Sequence, residues 1–131
     1  MAPHPSKDDV IRLATLEDDH WRLESGVERH KEFPETFWIP DEAKRRSLVR
    51  GDMVKVMFDY VYPPDHQGRE AGERMWVEIV GSEGSCYIGK LQNIPQCTAE
   101  PTGWHDLELD SRIVFLPEHV IDIAEPEDAE D

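Results

Sequence analysis

Period-two alternation of apolar residues is the feature that most constrains the fold of this 131-residue chain. In VKVMFDY (54–60), every second side chain is apolar, beginning with Val54. ERMWVEIV (73–80) repeats the pattern with Met75, Val77 and Ile79. Successive side chains of a strand point to opposite faces of its sheet. We therefore predict two strands, each with one face in a core.

Turn residues divide the chain around these two strands. The polar segment PPDHQGREAG predicts an exposed loop after the first strand, and SEG predicts a tight turn after the second. Three further strands are predicted: CYIGKL (86–91), RIVFL (112–116) and HVIDI (119–123). The Pro117-Glu118 turn is like the one-turn 3₁₀ link before the last strand of SH3-like barrels. The fold class is therefore α+β and mainly β, with a small, strongly bent antiparallel sheet or an SH3-like, partly open barrel.

The N-terminal region has a different pattern. Helical spacing of apolar residues predicts an amphipathic helix over 7–18. Residues 20–37 are irregular and charged, and the prolines of FPETFWIP (33–40) favour extended chain laid over the β domain. DEAKRR (41–46) predicts a short helix capped by Asp41. We divide the chain into a covering segment (1–47), a β domain (48–124) and a disordered acidic tail (125–131).

The hairpin of the second and third strands holds a tryptophan and an in-strand glycine. Trp76 is predicted on the face opposite Met75 and Val77. A glycine at position 89 weakens a strand unless bulk needs its space or the backbone bends. Trp76 packing over Gly89 is the favoured interpretation, and an exposed, ligand-stacking Trp76 is the alternative.

Acidity is the most distinctive bulk property, with a formal net charge of −15. The tail EPEDAED holds five acids and no bases, so removing it still leaves −10. Such a charge disfavours nucleic-acid binding, which normally needs a basic surface. The expected partner is a basic protein. The basic run around Lys44 is more simply an exposed helix face.

No complete catalytic, metal or cofactor motif is present. The six histidines lack HxH and HExxH spacing, and Cys86 and Cys97 lack the pairs of a zinc site. Both thiols are expected to be reduced. Trp104-His105-Asp106 is weak evidence for an acid–base pair, because neighbouring residues usually point apart. We expect no cofactor and no metal. The lack of a secretory leader or a 20-residue apolar run predicts a cytoplasmic protein without a membrane contact.

Four segments carry a resemblance to known proteins: GDMVKVMF, ERMWVEIV, YIGKLQNIP and SRIVFLPEHVIDI. Together they resemble an uncharacterised family of small bacterial β-rich domains of unknown function. The resemblance implies a compact β-rich fold and brings no activity or catalytic residue. Similar small domains occur among the immunity proteins that neutralise bacterial toxins.

Two functions follow as expectations. The first is a non-catalytic, acidic protein-binding domain, with toxin neutralisation as one form. Its candidate partner-binding residues are Trp38, Trp76, Glu78, Trp104 and His105. The alternative is a small-molecule-binding or enzymatic barrel in which Trp76, Tyr87 and Trp104 stack a ligand and His105 or Glu78 orients it.

Overall fold

A computed structural model describes residues 11–60, 72–95 and 107–124. Six strands and four short helical elements follow one another in these ranges. In chain order they are α1 (Leu16–Asp19), β1 (Trp21–Leu23), α2 (Gly26–Glu32), α3 (Glu42–Arg45), β2 (Met53–Tyr60), β3 (Gly72–Glu83), β4 (Cys86–Leu91), β5 (Arg112–Phe115), a 3₁₀ turn (Pro117–His119) and β6 (Val120–Ile123).

The six strands form one antiparallel sheet that curls into a half-barrel, with β1 to β5 side by side in chain order. The central strand β2 pairs with β3 along one edge. The other edge of β2 is shared, because β1 pairs with residues 58–60 and β6 pairs with residues 54–56. The predicted fold class is confirmed, and the predicted 3₁₀ link is present before the last strand.

The core lies on the inner face of this half-barrel. Val54, Val56 and Phe58 of β2 are fully buried there, as the alternation predicts. Val77 and Ile79 of β3 face the same interior. β3 extends to Glu83, and its register with β4 shifts between Ile79 and Gly81, which marks a β-bulge.

Gly89 has a different role from the predicted one. It lies on the inner face of β4 and pairs with Ile79, whereas Trp76 alternates with the core residues and lies on the outer face. A Cβ atom at position 89 would meet Val77 Cγ1 and would lie 2.7 Å from the Glu78 carbonyl oxygen. The glycine therefore permits close approach of β3, and the prediction that Trp76 covers it is wrong.

The predicted helix over 7–18 is wrong over residues 11–15 and correct over 16–18. Residues 11–15 are not helical, and α1 begins only at Leu16. Thr15 is extended, and its hydroxyl accepts a hydrogen bond from the Asp18 N–H at 3.1 Å. This N-cap fixes the helix start, while Ala14 packs against the core.

The covering segment also contains structure that its irregular pattern does not predict. Trp21 of β1 is buried and stacks near Phe58, with ring centroids 5.4 Å apart. The N-cap Ser25 begins α2 by accepting from the Glu28 N–H at 3.1 Å. The predicted short helix is present as α3, although the Asp41 side chain makes no cap hydrogen bond. Because β1 pairs with β2, residues before position 48 complete the sheet.

No helix in the described ranges is both long enough and apolar enough to span a bilayer. The predicted acidic tail and the predicted PPDHQGREAG loop lie outside the described residues, apart from Gly72 at the start of β3.

Candidate functional site

An open groove of about 660 Å³ runs between the covering segment and β6. One wall is the chain after α2, the other is α3 with the turn before β2, and β6 forms the floor. Its lining residues are Trp38, Ile39, Pro40, Asp41, Lys44, Ser47, Leu48, Asp52, Ile121, Asp122, Ile123 and Ala124.

Trp38 stands on the first wall with 76% of its surface exposed. Its neighbour Phe37 is held in place, because the guanidinium groups of Arg29 and Arg74 lie 5.6 and 5.5 Å from its ring centroid. The Trp38 indole N–H donates to the Glu35 carbonyl at 3.3 Å. An anchored Phe37 therefore presents a largely uncovered indole at the groove.

Tyr87 fixes the second wall against the sheet. Its buried hydroxyl donates to the Arg45 carbonyl at 2.8 Å and accepts from the Leu48 N–H at 3.2 Å. The buried Arg45 guanidinium donates in turn to the carbonyls of Pro40 and Pro117, at 2.8 and 3.3 Å. One tyrosine and one arginine thus join both walls to the β domain, and the groove is a preformed feature of the fold.

The floor is apolar and closely packed from behind. Ile121 lies against α2, where a Cβ atom on Gly26 would come within 2.8 Å of Ile121 Cγ2. Ile123 packs partly against the core. Ile39 closes the same contact, since its Cγ2 lies 3.4 Å from that Gly26 Cβ position.

The charged groups of the lining are mainly acidic: Asp41, Asp52 and Asp122 against Lys44. The Asp52 carboxylate accepts from the Val49 N–H at 2.8 Å, so the turn before β2 fixes its position. The chain continues from the floor into EPEDAED, the most acidic part of the sequence. We call the three aspartates, Asp41, Asp52 and Asp122, the acidic rim. Together with the isoleucines of the floor and the exposed indole, the acidic rim suits a segment that carries both apolar and basic side chains.

The predicted site residues do not all meet at this groove. Trp38 lines it, but Trp76 and Glu78 do not. Trp76 is half-buried on the outer face, where Lys55 Nζ lies 4.9 Å from its ring centroid. The backbone N–H of Trp76 donates to Asn93 Oδ1 at 2.6 Å. Glu78 lies opposite Met53 on the same two strands. Trp104, His105 and Cys97 lie outside the described residues.

Tyr87, which the alternative hypothesis places against a ligand, is only 7% exposed. Its hydroxyl bonds the backbone groups of Arg45 and Leu48. Cys86 is a free, half-buried thiol. Within residues 11–60, 72–95 and 107–124, no group of three His, Cys, Asp or Glu side chains is placed to hold a metal ion.

Asp59, Glu24 and His119 are among the titratable groups whose pKa values are altered by the fold. Burial, followed by the hydrogen bond with Glu24, raises the pKa of Asp59 to about 6. That same bond is the main cause of the lowered pKa of Glu24. Burial lowers the pKa of His119 to about 4, and its Nδ1 accepts from the Leu116 N–H at 2.9 Å. Asp59 and His119 lie where elements of the fold meet, since Asp59 faces β1 and His119 ends the 3₁₀ turn.

Neither a protein-family model, nor a curated protein, nor a solved structure matches this chain. The resemblance to small bacterial domains therefore stays a prediction.

Sequence reasoning found Trp38 but missed the acidic members of the groove. Asp52 follows the Gly51 turn, and Asp122 is the exposed position in β6. In the sequence, Asp52 is typical of a turn and Asp122 of the exposed face of a strand, so neither pattern indicates a binding site. Only the pairing of β6 with β2 and the attachment of α3 bring both to one surface.

Proposed function

We propose that this protein is a non-catalytic binding domain whose groove takes a basic protein partner. The main support for this proposal is the exposure of the Trp38 indole, which lies on an anchored wall beside the acidic rim. Exposed aromatic residues at the centre of a concave surface are typical anchors of protein interfaces. The net charge of −15 adds long-range attraction for a cationic partner.

Neutralisation of a toxin is the concrete form that we favour. An acidic domain seated in a cationic active-site cleft would exclude the substrate without any chemistry of its own. Acidic complementarity mainly speeds association, while the indole and apolar floor slow dissociation. The resemblance to small bacterial domains is consistent with this role.

The test is affinity capture from the native host with the full chain, at low and at moderate salt. We expect one basic protein, retained better at low salt and bound about tenfold more weakly by Trp38→Ala. Ile94→Ala is the matched control, because Ile94 is 66% exposed and does not line the groove.

The charge argument has its own matched pair. Asp52→Asn should weaken capture and reduce its salt dependence, whereas Glu83→Gln, at the exposed end of β3, should not. Recovery of no basic protein, or equal losses in Trp38→Ala and Ile94→Ala, would refute the proposed function.

A further inference from the structure

The outer edge of β6 has no strand partner among the described residues, where β6 pairs with β2 alone. The Ala124 N–H donates to the Met53 carbonyl at 2.9 Å, so Ala124 directs its backbone toward β2. In an antiparallel ladder, alternate residues direct their N–H and C=O groups to opposite edges. Ile123 therefore directs its backbone groups away from β2.

Asp122 meets the outward N–H of Ile123. Its Oδ1 accepts a hydrogen bond from that N–H at 2.8 Å. Natural edge strands are often protected from unwanted pairing by charged residues. Asp122 thus satisfies an edge donor and, at the same time, places a negative charge on the edge.

The groove follows this edge. Four consecutive residues, from Ile121 to Ala124, line it. Successive side chains of a strand point to opposite faces, so a groove that touches four in a row runs along the backbone edge. Trp38 and Leu48 stand on the two walls above that edge.

We propose that the partner binds by strand addition, placing an extended, basic segment along the free edge of β6. The inference rests on the proposed function and specifies how the groove is used. A lysine or arginine of the segment draws the Asp122 carboxylate away from the Ile123 N–H, which then donates to the incoming backbone. Apolar side chains of the segment pack between Trp38 and Leu48.

Charge decides the occupant. A second copy of the chain would bring a net charge of −15 to the acidic rim, and EPEDAED would bring five acids. Like charges facing each other disfavour both. A segment in which basic and apolar residues alternate matches the acidic rim and the apolar floor together.

The probe is a blocked hexapeptide of alternating lysine and valine, titrated into the full chain by NMR at low salt. Two N-methylated versions carry the methyl groups on the donors of one edge or of the other. Strand addition uses one peptide edge only, so we expect one version to bind like the parent and the other at least about tenfold more weakly. Amide exchange at Ile123 should slow when the parent peptide binds.

Asp122→Asn is the protein variant, because it keeps an acceptor for the Ile123 N–H and removes the charge. It should weaken peptide binding about threefold at low salt, and Glu83→Gln should not. A glutamate–valine hexapeptide should not bind.

Equal binding of both N-methylated peptides, or no change in Ile123 exchange, would overturn strand addition. So would failure of the parent peptide to bind. None of these results would refute the proposed function. That function is tested separately by capture of a basic protein and by the weaker capture expected of Trp38→Ala.

Discussion

Two regions of the fold use an aromatic residue with a polar group in different ways. They are the inner face of β3 and β4, and the groove beside β6. On the inner face, Tyr87 is buried, and its hydroxyl donates to the Arg45 carbonyl and accepts from the Leu48 N–H. At the groove, Trp38 is 76% exposed and its N–H has one long hydrogen bond.

This difference in exposure indicates which part of the small fold is available for binding. The hairpin that is most patterned in sequence serves folding, since Gly89, Val77 and Ile79 are packed against one another. The groove is bordered by the least patterned segment. Uncovered apolar surface beside mainly acidic side chains is more typical of a binding surface than of a core.

Gly89→Ala is expected to have the largest effect, because it changes the tightest glycine contact of the inner face. The new methyl group would press on Val77 and the Glu78 backbone, so we expect a loss of about 3 kcal/mol in the free energy of unfolding in urea. Gly81→Ala is the matched control, since a Cβ atom there meets nothing within 4 Å, and it should change stability by less than about 0.5 kcal/mol. Equal effects of the two substitutions would show that the inner face is loosely packed.

His119 tests the turn that leads from the sheet to the groove floor. Its pKa of about 4 lies below the ordinary 6.5, so the unfolded chain binds the proton more readily. The contribution of His119 is fully present above about pH 6.5, and the free energy of unfolding should fall by about 3 kcal/mol as the pH drops to 4. His119→Asn, which cannot take up this proton, should show a shallower pH dependence in urea titrations. An unchanged slope would contradict the assignment.

Tyr87→Phe connects the two regions, because it removes the hydroxyl that holds the second groove wall. We expect a loss of about 1 to 2 kcal/mol, with faster amide exchange at Leu48. Tyr60→Phe is the control for Leu48 exchange, since that hydroxyl donates to the Glu73 carboxylate at 2.7 Å and Tyr60 lies at the end of β2 far from the second groove wall. If Leu48 exchange is unaffected, the wall does not depend on the sheet for its position.

Asp59 should give the smallest effect, with the opposite sign to His119. Its pKa of about 6 exceeds the ordinary 3.8, so the folded state holds this proton more tightly. Its contribution to stability is therefore greatest at low pH and is lost as the pH rises through about 6. Asp59→Asn should remove that loss and raise stability at pH 8 by less than about 1 kcal/mol, because solvent screens this half-buried group. A clear destabilisation at pH 8 would contradict the prediction.

Most of the fold was predictable, and little of the groove was. Strands β2 to β4 follow from alternation and turn residues, because burial on one face imposes a local period of two. Strands β5 and β6 follow from short apolar runs bounded by turn residues. β1 was missed because three residues are too short to show a period, and α2 because its exposed, charged turns show no clear apolar stripe. The helix predicted over 7–18 failed over 11–15, where contact with the core and the Thr15 cap outweigh helical spacing.

The sequence by itself determined the β-rich inner face, the acidic charge and the lack of a familiar catalytic motif, since each is a matter of local pattern or composition. Tertiary structure alone decided that Trp38, Asp52 and Asp122 border one groove and that Gly89 serves Val77 and not Trp76. The physical reason is that these proximities depend on long-range contacts. The pairing of β6 with β2 and the bonds from Tyr87 to α3 join segments far apart in the chain.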